Sequence, residues 1–179
     1  MPSSEELLRR ADDLMRQGQP DVALEKYQEA WSLSRAEPMT AGDRVWVLIS
    51  IANAAVRTGE FDEAFDALAG AHTLAKEAGN VVGNPMFHLL VGLAYAGLGE
   101  SSEAMVDNFA RALICGGPAM FAGEDPQRLE AMQRILNPPA ELGSWEGYEG
   151  CSRDQMNGVT GYLRELLTVR LGSPPPWTY

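Results

Sequence analysis

Basic charge, histidine and cysteine are all scarce in this chain, and each scarcity removes a class of function. Of 179 residues, 25 are acidic and 14 basic, a formal charge of −11. Nucleic-acid binding needs Lys and Arg concentrated against phosphates, and an anionic membrane surface asks for the same, so neither partner is expected. The acidic residues are spread along the chain, as on a solvated surface. The only histidines are His72 and His88, and the only cysteines Cys115 and Cys151. A metal site built from these four would need distant positions to converge without local ligand spacing, so no metal and no cofactor is expected. With no CxxC and no disulfide framework, reduced thiols in a cytoplasmic protein are the expectation. No segment approaches the roughly 18 uninterrupted apolar residues of a membrane span. The start, Met1-Pro2-Ser3-Ser4-Glu5-Glu6, is acidic and lacks the basic region and apolar run of a secretion signal.

Catalytic motifs are missing too. There is no G-x-S-x-G elbow. The loop from Gly116-Gly117-Pro118 to Gly123 has no Lys-Ser/Thr pair and follows no strand, which excludes a phosphate cradle. The carboxylate pairs Glu5-Glu6, Asp12-Asp13 and Glu124-Asp125 are adjacent, so on a helix they diverge and cannot share a substrate. His88 lies inside the apolar run Met86 to Leu93, where a packed, hydrogen-bonded histidine is expected. His72 is expected at a surface or between helices. The chain reads as a protein that is not an enzyme.

What is present is a phrase written three times: Gly18-Gln19-Pro20-Asp21-Val22-Ala23, Gly59-Glu60-Phe61-Asp62-Glu63-Ala64 and Gly99-Glu100-Ser101-Ser102-Glu103-Ala104. The period of about 40 residues points to stacked helical units sharing a core. Each Gly can end one helix in a left-handed conformation, and the small Ala lets two helices approach closely. Apolar spacing and caps then predict the helices. The first starts at Ser3, with Glu6 completing a capping box, and carries Leu7, Leu8, Ala11, Leu14 and Met15. The second has Pro20 in its first turn and presents Ala23, Leu24, Tyr27, Ala30 and Trp31, until Glu37-Pro38 closes the pair. A third runs from about Thr40 to Thr58 and a fourth from Glu60 to about Ala78. Asn84-Pro85 caps a fifth, ending at Leu98. A sixth starts near Ser101 and fades at Cys115-Gly116-Gly117-Pro118. Asp125-Pro126 opens a short helix to Leu136, stopped by Asn137-Pro138-Pro139. A loop holding Trp145 and Tyr148 leads to a last helix over about 152–171 and a Pro-rich tail with Trp177 and Tyr179.

These residues resemble the tetratricopeptide repeat (TPR). Repeat one supplies Leu7, Ala11, Leu14, Gly18, Ala23, Tyr27 and Ala30. Repeat two supplies Leu48, Ala52, Gly59, Phe61, Ala64, Leu68 and Ala71. Repeat three supplies Val91, Gly92, Tyr95, Gly99 and Ala104, with Phe109 and Ala112 one place late. The resemblance implies an all-α fold: three hairpins over residues 3–37, 40–79 and 84–115 in a right-handed superhelical stack. A short helix at 126–136 completes a domain over 1–136, and the 137–179 segment adds a further capping helix. The spacing exceeds the usual period of about 34, implying longer helices, as in TPR subfamilies that bind peptides or helices. Glu37-Pro38, Trp46-Val47-Leu48, Gly83 to Leu89 and Gly123 to Pro126 are also similar to segments of a group of small bacterial TPR proteins. That likeness implies a role as an immunity protein or secretion-type chaperone.

In TPR stacks the first helix of each repeat lines a concave groove. Carried over position by position, the resemblance puts Glu5, Leu8, Asp12 and Met15, then Trp46, Ile49, Asn53 and Val56, then Met86, Leu89, Leu93 and Ala96 on that face. The basic clamp of some TPR co-chaperones is absent, with Leu8 and Asp12 where it wants Lys and Asn, which argues against an acidic peptide tail. A largely apolar groove is costly to leave wet. Either a partner's helix or apolar peptide fills it, or the chain's own C-terminal segment does, in the same molecule or in a neighbouring copy of a self-assembling scaffold.

Overall fold

Seven α-helices and no strand occur among the described residues, so the chain is all-α there. The computed structural model describes residues 2–34, 36, 39–78, 83–100, 102–139 and 142–150. The expected closing turn at Glu37-Pro38, Cys151, the helix over 152–171 and the Pro-rich tail lie outside the described residues. The chain divides into two compact units, Met1–Val81 and Val82–Tyr179.

The first unit holds α1 (Ser4–Arg16), α2 (Pro20–Leu33), α3 (Ala41–Thr58) and α4 (Phe61–Ala78). The caps stand where local chemistry puts them. Ser3 accepts from the Glu6 amide while Glu6 reaches back to the Ser3 amide, and Thr40 and Asp43 do the same for α3. These reciprocal bonds satisfy amides that a helix start leaves without partners. α1 packs on α2, α2 on α3 and α3 on α4. The interior is rich in alanine: Ala11, Ala23, Ala30, Ala52, Ala54, Ala55, Ala64 and Ala71 are fully buried. Small side chains at these points let backbones approach, while Leu7, Leu24, Tyr27, Val47 and Leu68 are among the larger buried side chains.

The second unit holds α5 (Pro85–Gly97), α6 (Glu103–Gly116), a 3-10 turn (Pro118–Phe121) and α7 (Pro126–Ile135). Asn84 and Asp125 cap α5 and α7, each followed by proline at the first helical position. α5 packs on α6, and the 3-10 turn packs on α5, α6 and α7. Phe109, one place late against the expected repeat pattern, packs against Gly92 of α5. A Cβ built on Gly92 would stand 2.6 Å from the Phe109 ring, so the ring occupies the space that a side chain at 92 would take. Helix α6 continues past it to Gly116. Residues 142–150 return to the end of α6, where the Tyr148 hydroxyl donates to the Ile114 carbonyl at 2.5 Å. Gly117 and Gly150, both at positive φ, leave no room for a Cβ at this close backbone approach.

Candidate functional site

The N-terminal halves of α1 and α3 leave a cleft of about 560 Å³, lined by Ser3, Ser4, Glu5 and Leu8 of the first helix and its cap, Met39 of the connection, and Asp43 and Trp46 of α3. Trp46 is 51% exposed, the most exposed large apolar side chain among the described residues. Leu8 and Met39 are half-buried beside it. Among the described residues the lining carries two carboxylates and no basic side chain.

The residues expected to face a groove fall into several different environments. Leu8 and Trp46 meet at this cleft, with Glu5 at its edge. Met15, Asn53 and Val56 are half-buried further along α1 and α3. Ile49, Leu89 and Leu93 are buried, at 7%, 3% and 6% exposure. Met86 is 37% exposed at the start of α5, and Ala96 is half-buried near that helix's end. Met86, Leu89, Leu93 and Ala96 belong to the second unit, the others to the first.

Asp12 has a partner inside the first unit. The Tyr27 hydroxyl donates to its Oδ1 at 2.6 Å. Burial raises the Tyr27 pKa, and the adjacent Asp12 carboxylate, through its hydrogen bond and its charge, pushes the same way; Ser50 on α3 opposes it. The tyrosine therefore stays protonated and joins α1, α2 and α3 at one point.

No protein-family model matches the chain, nor does any curated protein or solved structure.

Sequence reasoning missed a second depression, between α2 and α4 with α3 beneath. Two adjoining hollows of about 450 and 460 Å³ share Trp31, Leu48 and Asp66. Gly70 borders this region: a Cβ there would lie 3.2 Å from a Leu48 methyl, so a larger residue would narrow it. A tryptophan on α2 opposite a glycine in mid-α4 was the only trace of it in the sequence. On one side the Arg44 guanidinium donates to the Ser34 carbonyl at 2.8 Å.

The second unit also buries several polar groups. His88 is fully buried. Asn108 commits its amide nitrogen to the Ala104 carbonyl, so His88 Nδ1 donates to Asn108 Oδ1 at 2.8 Å. Arg111 Nε donates to Asp107 Oδ2 at 2.6 Å, with both side chains almost entirely out of solvent. Asp107 Oδ1 is buried without a hydrogen-bond partner among the described residues. No group of three or more His, Cys, Asp or Glu side chains able to hold a metal occurs among the described residues. No helix there is long and apolar enough to cross a membrane.

Proposed function

We propose that this chain is a TPR-type binding module of the bacterial cytoplasm, without catalytic activity, that grips a helix or an extended apolar segment of a protein partner. The observation that carries the reading is Trp46, half exposed in a cleft that it lines together with Leu8 and Met39. Apolar area kept in water is unfavourable by about 25 cal/mol per Å², and a wide aromatic in a concave site is the usual anchor of a protein contact. The repeated glycine-ended helices and the packing of α1 through α4 support the repeat assignment. Within this reading, an immunity protein or secretion-type chaperone is the specific role the sequence likeness favours.

The test is capture of a partner from the cell of origin by the full chain and by Trp46→Glu. The side chain is exposed, so the variant is expected to keep its helical content and melting behaviour while losing capture. Capture equal to that of the unaltered chain would remove the cleft from the function.

A further inference from the structure

The cleft's charge has a sign, and that sign selects a ligand. Among the described residues, its only ionisable lining side chains are Glu5 and Asp43. Glu5 is exposed and makes no ion pair or hydrogen bond among the described residues. Asp43 uses Oδ2 to hold Thr40, accepting from its amide at 3.2 Å and its hydroxyl at 2.7 Å. Its Oδ1 has no such partner among the described residues. Both carboxylates therefore retain acceptor capacity in the cleft that the half-exposed Trp46 indole also lines.

Three ligand chemistries compete for such a site. An anion is the poorest fit, although two helix starts border the cleft and helix starts attract negative charge. Their capping amides are already bonded, Glu6 N to Ser3 Oγ and Asp43 N to Thr40 Oγ1, and Glu5, Glu6 and Asp43 place negative charge in those first turns. A wholly apolar segment would cover Trp46 and Leu8 but would strip water from two carboxylates and offer nothing in return. A segment combining apolar side chains with a lysine or arginine meets every surface. Its alkyl parts lie on Leu8 and Met39, its cation lies against the Trp46 ring, and the carboxylates take up the charge. The formal charge of −11 favours the encounter at longer range.

We infer that the α1–α3 cleft binds a basic, apolar-flanked peptide segment of a partner protein, with a Lys or Arg seated between Trp46, Glu5 and Asp43. This rests on the binding-module reading and adds the chemistry of the occupant.

The experiment uses the full chain and three labelled synthetic peptides of equal length, alternating Leu-Arg, Leu-Gln and Leu-Glu, with binding followed by fluorescence anisotropy at low and high salt. The Leu-Arg peptide should bind, and the Leu-Gln and Leu-Glu peptides should bind at least about tenfold more weakly. Trp46→Ala should weaken Leu-Arg binding about tenfold or more, and Glu5→Gln about threefold. Glu25→Gln, an exposed acid on α2, should change nothing. Failure of the Leu-Arg peptide to bind overturns the inference, as does equal binding of the Leu-Gln peptide. So does binding that falls with salt yet ignores Trp46→Ala, since that pattern means general attraction to an acidic surface. If Trp46→Glu still abolishes partner capture in those cases, the module reading survives and only the basic occupant falls. If capture survives Trp46→Glu, the reading itself fails.

Discussion

Asp107 and Arg111 stand one turn apart on α6, wholly enclosed, and the pair is unevenly satisfied. Oδ2 has the guanidinium, whereas Oδ1 is buried without a partner among the described residues. Burial pushes the Asp107 pKa up from 3.8 to about 6, against the pull of Arg111. Above that value the folded protein carries the full cost of a dehydrated carboxylate. Below the ordinary value near 3.8 folded and unfolded chains are both protonated, and the cost is gone. Between the two the folded state holds more protons, so acidification favours folding through this group. The shift corresponds to at most about 3 kcal/mol. Asp107→Asn is therefore expected to be at least as stable as the parent at pH 7 in urea unfolding, with the two converging by about pH 4. A variant markedly less stable at pH 7 would mean that the attraction to Arg111 outweighs burial. At this scale legibility followed sequence distance. That His88 needs an internal partner could be read from the apolar run around it. That Asp12 belongs to Tyr27 could not, because the two are 15 residues apart on neighbouring helices.

The helix ends are the most legible elements, because their physics is local. Gly18, Gly59 and Gly99 all take positive φ, at 73°, 82° and 74°. After each, the Gln or Glu amide donates back to a carbonyl five residues earlier: Gln19 to Leu14, Glu60 to Ala55 and Glu100 to Tyr95, at 3.0, 2.8 and 3.1 Å. The glycine amide itself donates three residues back, completing the same two-bond turn each time. The repeated phrase in the sequence is thus a repeated helix stop. No atom lies within 4 Å of a Cβ added at Gly59, so Gly59→Ala meets only the left-handed backbone strain. The expected loss is about 1–2 kcal/mol, read by chemical denaturation, with Gly59→Asn losing less because asparagine tolerates this conformation. Equal losses for Ala and Asn would place the cost elsewhere than in the backbone. The buried faces were less legible. Helix α5 buries Phe87, His88, Leu89, Leu90, Leu93 and Ala94 around most of its circumference. A helix apolar on nearly all sides carries no periodicity to say which side meets a ligand. Leu89 and Leu93 therefore fitted a groove position by register while the structure buries them. A charge at Leu89 would test folding rather than binding, and for that reason Trp46 is the informative position.

At the scale of the whole chain, the division into two units turns a core substitution into a test of cooperativity. The helices were readable from local caps and spacing, but the partition near residue 81 was not, since it depends on which helices share contacts rather than on any local phrase. Gly92 probes the second unit from inside. Its missing side chain makes room for the Phe109 ring, which also packs on Phe121 with centroids 6.1 Å apart. Phe109 and Phe121 are both buried, so the ring has little freedom to retreat, and Gly92→Ala is an overpacking change expected to cost about 1–3 kcal/mol. If each unit opens on its own core, hydrogen exchange in this variant should quicken in α5, α6 and α7 while α1 to α4 keep their protection. The cleft beside Trp46 belongs to the first unit, so binding of the Leu-Arg peptide should survive the substitution. Equal loss of protection across α1 to α7 would instead mean that the chain opens as one cooperative body, and peptide binding would then weaken in step with the overall loss of stability.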